Sequence, residues 1–257
     1  MKNDALDVVL QQIRDEEDWQ SLLKICDCSS SVQLENLSLS GKVKFFNQEI
    51  RSNYGNTFVN IFRNAYEPDY DEILKETAKK LSIKNIPASL SIGHIENLEN
   101  SIIANVLEQA REKIIKEEGF AAWDKIEKDA MRGVDKLYAE GKITAEEYAK
   151  LKKVSMSGGA LATIVAGRLA GFALYVLVNQ IFFAISRYLG LGIGVAVAGP
   201  VIGRVLSTLL GPIGWLLTAM SILYCLGDTN WKKTIGAVVF IGVMRQKQRF
   251  ADRLNAD

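Results

Sequence analysis

Apolar positions recur at helical spacing through most of this chain, and their repeats define its elements. Leu6, Val9, Leu10 and Ile13 share one face of a first helix. The acidic run Asp15–Asp18 follows, as a solvated face or a helix entry, and Trp19, Leu22, Leu23 and Cys26 continue the stripe. Residues 41–64 read as two helical pieces broken near Tyr54-Gly55-Asn56. Pro68 suits a helix start, with Asp69, Asp71 and Glu72 in the first turns, where the helix dipole favours negative charge. Ile73, Leu74, Thr77, Ala78 and Leu81 form the face that this helix buries.

The longest repeat runs through Ile95, Leu98, Ile102, Val106, Ala110 and Ile114, and Gly119 ends it. A shorter helix carries Trp123, Ile126, Ala130 and Val134 and stops before Gly141. Thr144 and Glu147 have the spacing of a capping box, in which two side chains satisfy free backbone donors at a helix start. His94, the lone histidine, begins a helix. Alternating strand patterns are missing, so the expected class is all-α.

At Ser157-Gly158-Gly159 the composition changes, which divides the chain into 1–157 and 158–257. The front part carries 22 basic and 27 acidic side chains, net −5. From Gly158 to Met244 the only charges are Arg168, Arg187, Arg204, Asp228, Lys232 and Lys233, net +4. The tail from Arg245 adds +2, so a total of +1 conceals an acidic front and a basic, apolar back. Charge asymmetry of this kind points to a surface partner, here membrane lipid.

The charges bracket uncharged stretches at 169–186, 188–203, 205–227 and 234–244. A bilayer core takes about 20 apolar residues of helix, so 205–227 is long enough, unless Gly211-Pro212 kinks or starts a helix and leaves 213–227 too short to cross alone; 169–186 is long enough if extended back past Arg168. Gly199, Gly203, Ser207 and Gly211 recur every fourth residue, as do Gly167 and Gly171, a spacing that lets helix backbones approach in lipid. The expected C-terminal architecture is thus a Gly-rich, membrane-hairpin-like helical block, with self-association into a homo-oligomer open to it. The competing reading is an apolar hairpin buried in a helical bundle, diluted by Asn179, Gln180, Ser207 and Thr208. It requires an apolar cover for 87 nearly uncharged residues, and the front helices offer one stripe each. Arg168, Arg187, Arg204, Lys232 and Lys233 are the charges that would meet lipid or line an aqueous path.

Catalytic patterns are lacking. Gly190-Leu191-Gly192-Ile193-Gly194 has no strand before it and no acidic residue at the dinucleotide-binding distance. One histidine cannot supply a metal pair or an acid–base triad. Cys26, Cys28 and Cys225 fit neither a disulfide framework nor a zinc spacing. The carboxylates fall on faces expected to be solvated, and basic residues of the front part are mixed with acids, against a nucleic-acid footprint. A non-enzyme without cofactor or metal is expected.

Three stretches carry a family resemblance: Glu49 to Arg63, with Gly55-Asn56-Thr57, Asn60 and Arg63; Tyr70 to Lys84; and Thr234 to Arg245. They resemble the YaaW-like family of uncharacterised bacterial proteins, which has a segment similar to ubiquinol–cytochrome c chaperones. The resemblance spans about residue 45 to the end and implies a helical, chaperone-like front domain without established activity. Two functions are therefore expected. One is a membrane-perturbing or pore-forming protein that inserts its hairpin into the bacterial inner membrane. The other is a membrane-anchored assembly chaperone or adaptor that binds a protein partner through its front domain.

The polar start MKNDALDVVLQQIRDEED lacks the pattern of a cleavable signal peptide, so membrane contact is expected from the cytoplasm. Lys150, Lys152 and Lys153 precede the block and Arg245, Lys247 and Arg249 follow it, which places both termini on the cytoplasmic side. Reporter fusions after Lys153 and Asp257 should both give a cytoplasmic signal; a periplasmic signal from either refutes an even number of crossings.

Overall fold

A computed structural model describes residues 4–26, 28, 34–55, 68–156, 164, 171–188 and 229–254. Among these residues the regular elements are helices, with no strand, so the fold class is all-α. In chain order they are α1 (Ala5–Gln12), α2 (Glu16–Ile25), a 3-10 turn (Leu34–Asn36), α3 (Leu39–Gly55), α4 (Tyr70–Lys80) and α5 (Ile92–Glu118). Then come α6 (Phe120–Ala139), α7 (Ala145–Met156), α8 (Gly171–Tyr188) and α9 (Thr229–Leu254). They belong to two compact units that interleave in sequence. One unit is Met1–Ile103 with Met220–Arg245; the other is Ala104–Ala219 with Gln246–Asp257.

Local chemistry sets the helix ends. Asp15 precedes α2, whose first turn holds Glu16, Glu17 and Asp18, so the acidic run is a helix entry. Asp69 stands before α4, with Asp71 and Glu72 in its first turn. Gly119, at φ +87°, separates α5 from α6, a conformation that costs glycine little. Thr144 and Glu147 form the expected box: Thr144 N–H donates to Glu147 Oε2 at 2.8 Å, and Glu147 N–H to Thr144 Oγ1 at 3.2 Å. Ser91 and His94 form a second one, with Ser91 N–H donating to His94 Nδ1 and His94 N–H to Ser91 Oγ.

In the first unit α1 packs on α3, and α3 on α2 and α4. Trp19 stacks on Phe46 with ring centroids 5.4 Å apart. The expected inner face of α4 is buried throughout, and so are Ile95, Leu98 and Ile102 of α5. Residues 235–244 of α9 are apolar on every face, glycines included, and buried on every face.

The second unit is organised around α8, which packs on α6 and α7. Residues 173–182 of α8 are buried in succession, including Asn179 and Gln180. A helix apolar all round must be enclosed, either by protein or by lipid. Here the cover comes in part from the wide inner face of α6, built by Ala122, Trp123, Ile126, Ala130, Val134 and Leu137. Among the described residues no helix is long and apolar enough to cross a membrane. The spanning role expected of 169–186 is thus unsupported, and the buried bundle helix is what α8 displays. The expected 205–227 span lies outside the described residues.

Gly133 makes the α6–α8 approach. A Cβ built there would lie 1.9 Å from Gln180 Oε1 and 2.8 Å from its Cδ. Gln180 is buried, so its amide has no solvent to retreat into. Gly133→Ala should therefore destabilise the fold by about 1–3 kcal/mol, as expected for overpacking. In a Gln180→Ala background the same change should turn neutral or stabilising, since alanine gains about 1 kcal/mol over glycine in a helix interior. Chemical denaturation of the four proteins checks this; additive effects would refute the contact.

Candidate functional site

The most elaborate polar constellation among the described residues lies inside the first unit, where polar side chains come in from five helices. It starts with Asp4, which caps α1: its Oδ1 accepts from the Leu6 and Asp7 N–H groups at 3.1 and 3.3 Å. Its Oδ2 accepts from Arg51 Nη2 of α3 at 2.5 Å and from the Tyr70 N–H at 3.3 Å. Arg51 also donates to Asn47 Oδ1 at 2.6 Å and to the Pro68 carbonyl, and Asn47 Nδ2 donates to Asp7 Oδ1 at 2.6 Å. This first half ties the entries of α1 and α4 to the middle of α3.

The second half is a buried ion pair. Arg245 of α9 grips Glu99 of α5 with both arms, Nε to Oε2 at 2.7 Å and Nη2 to Oε1 at 3.0 Å. Tyr70 Oη donates to Glu99 Oε1 at 2.9 Å, and Arg245 Nη2 reaches the Ala5 carbonyl at 3.0 Å. Glu99 and Tyr70 are fully buried and Arg245 is 7% exposed. The backbones come close because Gly242, one turn before Arg245, has no side chain. A Cβ there would sit 3.0 Å from Glu99 Cβ and 3.2 Å from Ile103 Cδ1.

Electrostatically, burial pushes the Glu99 carboxyl above its ordinary value, and the charge and hydrogen bonds of Arg245 and then Tyr70 pull part of the way back. Burial, followed by the Glu99 charge, raises the Tyr70 phenol well above its usual range. Burial alone would lower Arg245, but Glu99 more than offsets it, so the guanidinium is held charged. Three donors converge on one carboxylate that no solvent reaches. That arrangement clamps helices together; it does not present an acid or base to a substrate. Among the described residues no cluster of three or more His, Cys, Asp or Glu could hold a metal ion.

The expected site residues are distributed as follows. Tyr70 joins the buried constellation, and Gly55 is the last residue of α3. Asn56, Asn60, Arg63, Gly167, Arg168, Gly199, Gly203, Arg204, Ser207 and Gly211 lie outside the described residues. Gly171 opens α8 at φ +65° with nothing within 4 Å of a built Cβ, and its N–H donates to Gln246 Oε1 at 2.8 Å. Its observed place is a helix start, where a left-handed backbone favours glycine. Arg187 is exposed, 5.9 Å from the Phe183 ring. Lys232 and Lys233 are half-buried near the start of α9.

Not all carboxylates lie on the solvated faces expected of them: Asp7, Asp18, Glu96, Glu99 and Glu147 are buried. For Glu99 a signal existed. It stands four residues after Ile95 and three before Ile102, on the apolar stripe itself. Arg51, Asp4, Asn47 and Gly242 carried no comparable local signal.

Removing one partner of the fork should be costly. Arg245→Met leaves Glu99 buried without its counter-charge and should lose about 3–5 kcal/mol, whereas Glu99→Leu with Arg245→Met should recover most of it. The single variant should also acquire a distinctive pH dependence. Without Arg245 the folded-state carboxyl rises further, so folding takes up a proton. Stability then increases as pH falls from that raised value towards the ordinary glutamate value, and the gain disappears when Glu99 is also replaced. Denaturation midpoints across pH test this; a flat profile would argue against an unpaired buried carboxylate.

Comparison with known proteins yields distant likenesses. No family model matches the chain, and no solved structure matches it. A protein of Helicobacter pylori described as a UPF0174 protein is 25% identical over 202 residues, 78% of this chain and 86% of its own length. A second UPF0174 protein of the same organism is 24% identical over 185 residues, 71% of this chain and 63% of that protein. The chain thus spans less than two thirds of the second relative. Neither description names an activity, ligand or partner. The comparisons support similarity to an uncharacterised bacterial family; they do not support the YaaW-like name.

Proposed function

We propose that this chain is a non-catalytic helical adaptor, attached to a bacterial membrane through residues 189–228 and binding a protein partner with its packed helices. The observation that carries this reading is the enclosure of the other apolar segments. Residues 173–182 of α8 and 235–244 of α9 are buried in their own units. Fixed polar contacts accompany them, Gln246 on the first residue of α8 and Arg245 on Glu99. What remains for a membrane is the segment holding the uncharged 23-residue stretch 205–227. An anchor needs only apolarity there, whereas a pore would also need these enclosed helices to leave their cores and give up buried ion pairing. The membrane-perturbing alternative therefore asks for the larger rearrangement.

The test is fractionation of cells that express the full chain. The wild type should sediment with membranes and resist high salt. Leu216→Lys with Leu217→Lys should release it, because each lysine in mid-membrane costs about 2.5–3.5 kcal/mol. Membrane potential should persist during induction of the wild type. Collapse of the potential would favour the pore, and a wild type soluble without detergent would refute attachment altogether.

A further inference from the structure

We draw no further inference here: the strongest candidate, the surface patch on α6 and α7 where Tyr138 stacks on Tyr148 and Lys152 lies over the Tyr148 ring, carries nothing, because Asp135 satisfies both the Tyr148 hydroxyl and Lys152 and nothing in the structure shows what covers the exposed Tyr138 ring.

Discussion

A charged carboxylate cannot rest inside a helical core without a counter-charge, and the arrangement of the first unit follows from how Glu99 meets that requirement. Moving such ions out of water costs several kcal/mol each, and only close, fully hydrogen-bonded pairing offsets it. The fork from Arg245 satisfies both oxygens, and Tyr70 adds a third donor. That geometry fixes how far along α5 the last helix can sit. The glycine at 242 suits that approach, since a Cβ there would press on Glu99 Cβ at 3.0 Å and on Ile103 Cδ1 at 3.2 Å. Arg245 Nη2, which donates to Glu99 Oε1, also donates to the Ala5 carbonyl, so the register set at Glu99 extends to the first helix. Buried pairs of this kind add little net stability and instead select one arrangement over its shifted neighbours, which is the role we assign to this one.

The apolar helices of the C-terminal half illustrate why hydrophobicity alone does not locate a segment. α8 is apolar nearly all round, a property shared by membrane spans and by central helices of bundles. What distinguishes it is the placement of its polar residues. Gln180 lies against Gly133, and Asn179 donates to the Tyr175 carbonyl in its own preceding turn. A front helix that offers a broad inner face with a glycine in it, as α6 does, covers more of a neighbour than a single narrow stripe could.

Features determined within a few residues were readable in advance. The buried faces of α4, α5 and α6, the glycine between α5 and α6, and the box at Thr144 and Glu147 all follow from spacing or from capping chemistry. His94 at a helix start belongs with them. The constellation around Glu99 was not readable as a whole, because Arg245 lies 146 residues away in sequence. Spacing placed Glu99 on an apolar stripe, but no local rule names its partner. The three stretches that carry the family resemblance nonetheless supply Arg51, Tyr70 and Arg245, so those segments meet in one place although nothing in their separate patterns required it.

The interleaving of the two units bears on the order in which the protein can be completed during its synthesis. The first unit takes residues up to Ile103 and then needs Met220–Arg245. At ~5–20 residues per second a ribosome takes roughly 7 to 30 s to travel from the one to the other. Throughout that interval the nascent front helices have formed their local turns, while Glu99 still awaits its guanidinium and the pocket for 235–244 stands open. A chain that closes on its own last helix is exposed to cellular chaperones and proteases for longer than one whose domains finish in sequence. Completion of the first unit therefore waits until nearly all of the second has been made.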